Sequence, residues 1–293
     1  MTFLTTITRY LTLASGENVF WREAGSIEKP TILLLHGFPS SSHQFRNLIP
    51  LLATKYRLIA PDLPGFGFTT VPANYTYTFD NIAHTISAFL AAVPHPPSKY
   101  SIYIFDYGAP TGLRLALQHP DKIQAIVSQN GNAYLEGLGA FWDPIRALWA
   151  DNSTQHRDAL RPFLTIDGTK GQYTTGEDAT KVDEIPPESY WLDQSLMERD
   201  GNKEIQLDLF YDYQNNLPLY PKFQEYFRKT QVPLLAVWGK NDPIFVPPGA
   251  EAFKRDLPDA EVRLLDAGHF LLELHGEEVA ELIAGFLEKN KIC

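Results

Sequence analysis

The chain has 293 residues, of which 44% are hydrophobic and 13% aromatic, enough for the core of a globular protein. Its formal net charge of −10 offers no basic surface, so nucleic acid is not expected as a partner. Its single cysteine, Cys293, excludes an intramolecular disulfide and a cysteine-based metal site.

Two segments typical of β-strands come first, over residues 6–13 and 17–23. The opening residues alternate polar and apolar side chains and lack the basic start and apolar run of a signal peptide. No apolar run reaches the length of a membrane span. We therefore predict a cytoplasmic protein with no membrane partner.

From residue 31 to residue 128, short apolar strands alternate with helices. The predicted strands cover 31–35, 56–60, 101–105 and 123–128, and the predicted helices cover 43–53, 79–93 and 108–118. Continuous apolar strands separated by helices are typical of a parallel sheet with helices on both faces.

The alternation stops between residues 132 and 228, in a segment rich in Trp, Tyr, Asp and Pro with no clear parallel strand. It then resumes with strands over 232–238 and 261–265 and helices over 247–256 and 274–289.

We therefore predict two domains. Residues 1–131 and 229–293 form an α/β core domain, and residues 132–228 form a helical cap domain. A cap over the carboxyl ends of parallel strands places a ligand cavity between the two.

The most informative stretch runs from Ile102 to Gly112, where an apolar strand ends on Asp106 and a helix begins at once. This pattern is typical of the nucleophile elbow G-x-S-x-G, with Asp106 where serine usually stands. A carboxylate nucleophile forms an alkyl ester at carbon, which favours epoxides or carbon–halogen bonds as substrates. In isolation, the same aspartate could be a helix N-cap.

Two further polar residues follow predicted strands. Asp242 lies in Trp-Gly-Lys-Asn-Asp-Pro, and His269 lies in Asp-Ala-Gly-His-Phe. Because the carboxyl ends of parallel strands meet at one edge of a sheet, we expect Asp106, Asp242 and His269 to lie together. They are the predicted nucleophile, orienting acid and base.

Backbone N–H groups are predicted to stabilise an anionic oxygen at this edge. The helix N-terminus after Asp106 offers the N–H of Tyr107. The loop His36-Gly37-Phe38-Pro39, directly after an apolar strand, offers the N–H of Phe38. Phe38 and Tyr107 are therefore the predicted oxyanion-hole donors.

Together these motifs resemble the branch of α/β-hydrolases that contains epoxide hydrolases and haloalkane dehalogenases. The matching motifs span nearly the whole chain: His36-Gly-Phe-Pro39, Asp62-Leu-Pro-Gly-Phe-Gly67, Asp106-Tyr-Gly-Ala-Pro110, Gly239-Lys-Asn-Asp242 and Gly268-His269. The resemblance implies an α/β-hydrolase fold, a mostly parallel eight-stranded sheet flanked by helices, with a mostly helical cap inserted after the sixth strand. Ile104 departs from the pattern, since a small residue is usual two positions before the nucleophile.

The resemblance also implies a two-step reaction without metal or organic cofactor. Asp106 attacks a substrate carbon, and water activated by His269 then hydrolyses the resulting ester, with Asp242 orienting the histidine. Some members take their acid from just after the sixth strand, but this chain has Gln129 and Asn130 there, so Asp242 is the predicted acid.

The leaving group decides the substrate class. Opening an epoxide needs acidic hydroxyls, usually two cap tyrosines. Expelling halide needs N–H or ring-edge donors, commonly a tryptophan directly after the nucleophile, where this chain has Tyr107. Epoxide hydrolysis is therefore predicted first and dehalogenation of a neutral haloalkane second. A non-catalytic ligand-binding receptor on the same fold is the alternative from another class.

A small neutral organic substrate is predicted. Fluoroacetate dehalogenases bind a substrate carboxylate with arginines just after the nucleophile, where this chain has Tyr107 and Pro110. Its oligomeric state is left open by the sequence.

The cap offers several aromatic candidates for the leaving-group pocket. Tyr213 is the predicted acid, because Phe210-Tyr-Asp-Tyr-Gln-Asn215 resembles the neighbourhood of an epoxide-hydrolase cap tyrosine. Further candidates for the pocket are Tyr211, Trp149, Tyr134 and Tyr173. Since the chain has 14 tyrosines, a cap tyrosine is more often a core residue than a catalytic one.

Overall fold

The computed structural model describes residues 5–292. Its strands are Ile7–Thr12 (β1), Asn18–Ala24 (β2), Thr31–Leu35 (β3), Arg57–Pro61 (β4), Tyr100–Phe105 (β5), Ile123–Gln129 (β6), Leu234–Gly239 (β7) and Glu261–Leu265 (β8). They form one sheet in the order β1-β2-β4-β3-β5-β6-β7-β8. Strand β2 runs antiparallel to β1 and β4, whereas all pairs from β4 to β8 are parallel.

The α-helices of residues 5–292 are Leu48–Leu52 (α1), Phe79–Ala92 (α2), Gly108–Gln118 (α3), Asp143–Ala150 (α4), Thr154–Leu160 (α5), Ile166–Thr174 (α6), Pro187–Met197 (α7), Asn202–Asp212 (α8), Tyr220–Thr230 (α9), Pro248–Asp256 (α10) and Leu272–Lys289 (α11). Helices α4 to α9 all lie between β6 and β7 and form the cap. None of these helices is long and apolar enough to cross a membrane.

Burial explains why the central strands read as unbroken apolar runs. Every residue of β3, β4, β5 and β7 is buried, because helices cover both faces of the sheet. One hydrophobic cluster joins one sheet face to α2, α3 and the cap, and a second joins the other face to α1 and α11. The edge strand β1 is mostly exposed, in agreement with its alternating sequence.

The predicted fold class is confirmed, and each predicted strand is present within two residues of its expected ends. The helix expected over 43–53 is wrong in form, since a 3-10 turn, Ser42–Phe45, precedes the short α1. Pro50 has no N–H to donate, so it is tolerated only in the first turn of a helix. The predicted domain boundaries stay a prediction, and Cys293 lies outside the described residues.

Candidate active site

Asp106 occupies a strained turn between β5 and α3. Its φ of 48° lies in the left-handed region, which non-glycine residues rarely adopt. Its side chain is buried, and the helix that follows begins two residues later, at Gly108. This is the strand-to-helix elbow expected from the sequence, and such strain is characteristic of reactive positions.

The turn at Asp106 has room for the side chain of Ile104 because Gly112 packs against it. A Cβ at Gly112 would lie 2.5 Å from Cγ2 of Ile104, and a Cβ at Gly108 would lie 2.2 Å from the carbonyl oxygen of Leu35. The larger residue before the nucleophile is therefore accommodated by an absent side chain on α3.

Both predicted oxyanion-hole donors contact the same oxygen of Asp106. The N–H of Phe38 donates to Oδ1 at 2.7 Å, and the N–H of Tyr107 donates to Oδ1 at 2.6 Å. Oδ2 receives neither N–H and is free to attack a substrate. Oδ1 is therefore the oxygen that would carry negative charge when an ester on Asp106 is hydrolysed.

The hole depends on Gly37, because a Cβ there would lie 2.3 Å from Oδ1 of Asp106. Gly37→Ala is expected to displace the carboxylate from the two N–H donors and to lower kcat about 10²-fold, comparable with the loss of one oxyanion-hole donor. Gly285→Ala is the matched control, because nothing lies within 4 Å of a Cβ there. Steady-state kinetics of both variants checks this, and equal kcat values would contradict it.

His269 lies between Asp242 and Asp106. Nδ1 of His269 lies 2.7 Å from Oδ2 of Asp242, and its Nε2 lies 3.9 Å from Oδ2 of Asp106. The side chains of all three residues are buried. Within residues 5–292, Nε2 of His269 has no hydrogen-bond partner, so it can serve a water molecule or a substrate.

Asn130 contacts Asp242, and the sequence analysis gave it no role. Its Nδ2 donates to Oδ2 of Asp242 at 2.6 Å, and its Oδ1 accepts the N–H of Gly239 at 3.1 Å. The N–H of Ile244 donates to the other oxygen of Asp242 at 2.7 Å. Its position directly after β6, where relatives can carry an acid, was the available signal.

Charge and burial couple the nucleophile to the histidine. Burial raises the pKa of Asp106 to about 6, although the charge of His269 and the two N–H donors oppose the rise. Burial by itself lowers the pKa of His269, but the carboxylates of Asp242 and Asp106 raise it above its usual value. Esterification removes the charge of Asp106, so it is expected to lower the pKa of His269 and favour the free base.

Two adjoining pockets lie above these residues. The inner pocket, beside Asp106, has a volume of about 20 Å³, roughly the room that one water molecule needs. It is lined by Phe38, Asp106, Tyr107, Phe141, Trp142, Ile145, Phe163, Gln172, Phe210 and Ile244.

The outer pocket has a volume of about 290 Å³ and is mainly apolar. It is lined by Phe141, Phe163, Asp167, Gly168, Gly171, Gln172, Thr175, Pro243, Ile244 and His269. The two pockets share four residues: Phe141, Phe163, Gln172 and Ile244. Of the lining residues, only Phe38, Asp106, Tyr107 and His269 were assigned from the sequence.

Tyr213 lies behind the wall of the inner pocket. Its ring packs 4.5 Å from Trp142 and 5.9 Å from Tyr107, measured between centroids. Its hydroxyl lies 3.3 Å from the hydroxyl of Tyr220, a residue that the sequence analysis did not consider. Burial raises the pKa of Tyr213 well above its ordinary value, and the nearby carboxylate of Asp106 adds to the rise.

Neither indole near the site has a free N–H. Trp149 donates its N–H to the carbonyl of Phe210 at 2.8 Å and stacks on Tyr213. Trp142 donates to the carbonyl of Ile244 at 2.7 Å. Trp149 does not line either pocket, and the predicted pocket tryptophan is replaced by Trp142.

The other tyrosine candidates do not line the two pockets. Tyr134 donates its hydroxyl to Asp256, the last residue of the core domain's α10, at 2.8 Å. Tyr211 is half-buried and packs against the hydrophobic core. Tyr173 stacks on Phe270 with a centroid separation of 4.0 Å, and its hydroxyl points into a polar network.

This network joins the cap to the core domain around Asp193. Tyr173 donates to Asp193 at 2.5 Å and also contacts the hydroxyl of Ser40 at 3.4 Å. Beside them, Arg46 and Glu273 form an ion pair at 2.6 Å. Burial raises the pKa of Asp193 to about 8, although the hydrogen bond from Tyr173 opposes the rise.

Asp193 is therefore expected to make stability depend on pH. Between its usual pKa and about 8, the folded protein holds a proton on Asp193 that the unfolded chain releases, so stability falls as pH rises through this window. Asp193→Asn is expected to flatten this dependence, which amounts to at most about 1.4 kcal/mol per pH unit. Melting temperatures from pH 5 to pH 9 check it, with exposed Asp183→Asn as control; parallel curves for wild type and Asp193→Asn would contradict it.

Within residues 5–292, no group of three or more His, Cys, Asp or Glu side chains is placed to hold a metal ion.

Comparison with known proteins identifies the family of the chain. The family model of the α/β-hydrolase fold matches residues 30–276. An uncharacterised hydrolase of Saccharomyces cerevisiae is 47% identical over 279 residues, which cover 94% of this chain and 95% of that protein. A haloalkane dehalogenase of Psychrobacter cryohalolentis is 27% identical over 285 residues, covering 93% of this chain and 88% of that protein.

Solved structures share the fold. A laboratory-evolved variant of potato epoxide hydrolase superposes with a TM-score of 0.77 at 21% identity, covering 97% of this chain and 99% of that chain. The chain is therefore a hydrolase that belongs to the α/β-hydrolase fold family.

Proposed function

We propose that this protein hydrolyses epoxides of small neutral molecules through a covalent ester on Asp106. The observation that carries the proposal is that the two oxygens of Asp106 have different contacts. Oδ1 accepts the N–H groups of Phe38 and Tyr107, while Oδ2 is free and lies 3.9 Å from Nε2 of His269.

In the first step, Oδ2 of Asp106 attacks one carbon of the epoxide ring, and the carbon–oxygen bond of that carbon breaks. The ring oxygen leaves as an alkoxide and takes a proton from a cap hydroxyl. The ester that forms keeps Oδ1 as its carbonyl oxygen, still within reach of the two N–H donors.

In the second step, Nε2 of His269 takes a proton from water, and the water oxygen bonds to Cγ of Asp106. The N–H groups of Phe38 and Tyr107 stabilise the negative charge on Oδ1. The ester bond to the substrate then breaks, and the departing diol oxygen takes the proton from His269. The second proton of the water, left on the new carboxyl group of Asp106, passes to the cap hydroxyl that was deprotonated in the first step, so both groups return to their starting state. Asp242, held by Asn130, keeps the imidazole oriented throughout.

Tyr213 is the proposed acid for the first step. Nδ2 of Asn132 donates to the hydroxyl oxygen of Tyr220 at 3.3 Å, and that hydroxyl lies 3.3 Å from the hydroxyl of Tyr213. If Tyr220 donates its proton to Tyr213, the proton of Tyr213 has no acceptor among residues 5–292. Because Tyr213 lines neither pocket, the proposal requires the wall at Trp142 to shift before that proton reaches a substrate oxygen.

Dehalogenation is the second candidate, and the indole positions favour it less. Halide release needs free N–H donors, whereas Trp142 and Trp149 both donate to backbone carbonyls. A non-catalytic receptor is favoured least, because it has no need for an unpartnered Nε2 of His269 beside a buried carboxylate.

The pocket lining supports a neutral substrate. Neither pocket is lined by a lysine or an arginine among the described residues, and Asp167 stands at the outer pocket. An anionic substrate would therefore meet the carboxylate of Asp167 without a lysine or arginine to offset it. A volume of about 290 Å³ is at the lower end for ligand sites, roughly 300–1,000 Å³, which favours a small molecule.

Tyr213→Phe tests the acid and the substrate class together. It is expected to lower epoxide turnover about 10²-fold, because general acid catalysis is lost while the ring that packs on Trp142 is kept. Tyr134→Phe is the matched control, since it removes a cap hydroxyl that binds Asp256 instead. Release of halide from haloalkanes and of diol from epoxides is measured for wild type and both variants. Unchanged epoxide turnover in Tyr213→Phe removes Tyr213 from the acid role, and halide release without diol formation reverses the order of the two candidates.

A further inference from the structure

Gln172 is a buried polar side chain at the junction of the two pockets. It lies on α6 in the cap, lines both the inner and the outer pocket, and is only 9% exposed. Its carboxamide makes no hydrogen bond with any residue from 5 to 292. The residue is largely buried, and its carboxamide faces the pockets without a protein partner.

Other buried glutamines of the cap are bonded to the protein. Gln194 accepts the hydroxyl proton of Thr169 at 2.8 Å, and Gln206 donates to the carbonyl of Gly65 at 3.0 Å. Their carboxamides join cap elements to one another or to the core domain. Gln172 has no such structural task, so its carboxamide is left for a ligand.

The shared wall around Gln172 is otherwise apolar. Phe141, Phe163 and Ile244 are the other residues that line both pockets. A molecule that extends from Asp106 into the outer pocket must pass all four side chains. At this junction, Gln172 is therefore the polar partner available to the middle of such a molecule.

The volumes of the two pockets indicate which end of the substrate each pocket holds. The inner pocket, about 20 Å³, admits only a small group next to Asp106, whereas the outer pocket, about 290 Å³, has room for an apolar tail. The attacked carbon is therefore an unsubstituted ring carbon, and the tail leaves from the other ring carbon.

We propose that Gln172 determines specificity by donating a hydrogen bond to an oxygen adjacent to the epoxide ring. The substrate class is then terminal epoxides that carry an ether or carbonyl oxygen one carbon from the ring, followed by an apolar tail. This inference rests on the proposed function, since it names the substrate of the same site.

A matched pair of substrates tests the proposal. Phenyl glycidyl ether and 1,2-epoxy-4-phenylbutane differ only by an oxygen or a CH₂ group at the position assigned to Gln172. Wild type is expected to prefer the ether about tenfold in kcat/KM, the effect of one net hydrogen bond. Gln172→Met, which keeps the length of the side chain, is expected to bring that ratio to about one. Gln155→Met, on the exposed surface of α5, is the control and should keep the wild-type ratio.

Binding of unreactive analogues separates this inference from the proposed function. Phenyl propyl ether is expected to bind wild type more tightly than butylbenzene, with the difference lost in Gln172→Met, as followed by the fluorescence of Trp142 in the inner pocket. Equal ratios in wild type and Gln172→Met, in turnover or in binding, would overturn the role of Gln172 even if epoxides are hydrolysed. Turnover of neither epoxide, together with the expected binding difference, would instead overturn the proposed function and leave Gln172 as a binding residue. Melting temperatures verify that each variant is folded.

Discussion

His269→Gln is expected to stop the reaction after the first step and to leave Asp106 esterified. The attack by Oδ2 of Asp106 does not require the imidazole, whereas hydrolysis of the ester requires Nε2 of His269 to take a proton from water. Turnover should fall about 10³-fold or more, as when a triad histidine is lost. Intact mass spectrometry after incubation with an epoxide should show a mass increase equal to that of the whole epoxide.

Two variants control this experiment. Asp106→Ala combined with His269→Gln should show no mass increase, because the ester has no site. His275→Gln removes a half-buried histidine on α11 that lines neither pocket, and this variant should turn over without accumulating the adduct. A folded His269→Gln protein that forms no adduct with any epoxide or haloalkane would exclude the alkyl-ester mechanism, and an adduct with haloalkanes alone would favour dehalogenation.

Asp242→Asn is expected to have the second large effect, a fall in turnover of about 10⁴-fold, comparable with the loss of charge at a triad aspartate. Oδ2 of Asp242 accepts from both Asn130 and His269, and Oδ1 accepts from the N–H of Ile244. In asparagine, one of these two oxygens is replaced by an NH₂ group, which cannot accept the hydrogen bonds made at that position. With NH₂ toward His269, the imidazole must accept at Nδ1 and carry its proton on Nε2, where it cannot act as a base.

The two reaction steps distinguish this effect from unfolding. Ester formation by Asp242→Asn should be reduced much less than ester hydrolysis, because the nucleophile keeps its N–H donors. Single-turnover kinetics with mass detection of the Asp106 adduct measures both rates. Asp256→Asn, which alters another buried aspartate that lines neither pocket, is the control. Ester hydrolysis within tenfold of wild type would contradict the assigned role of Asp242.

Much of the core domain could be predicted because each of its signals is local. A continuous apolar run such as β5 identifies a buried parallel strand, and the sharp turn after it identifies the elbow at Asp106. Parallel strands end at one edge, so Asp242 and His269 could be placed beside Asp106 without coordinates. Helix α1 was predicted too long, because the restriction that Pro50 imposes was not applied.

The cap was less predictable because its side chains are selected by packing between helices. The sequence analysis named Trp149 as the pocket tryptophan, and nothing in its local sequence shows that Trp142 lines the inner pocket instead. Asn130 is similar, since its role depends on the loop of Asp242 folding back from β7 onto the end of β6.

The sequence by itself determined the fold, the elbow at Asp106 and the edge of the sheet where acid and histidine follow, since strand periodicity and turn chemistry are properties of neighbouring residues. Only the tertiary structure decided which side chains enclose the reacting carbon. That choice depends on contacts between the cap and the core domain, which bring Gln172 on α6 to the same pocket as Asp106 on the other side of the cleft. Residues so far apart in the chain become neighbours only through packing, and no local sequence pattern predicts that they do.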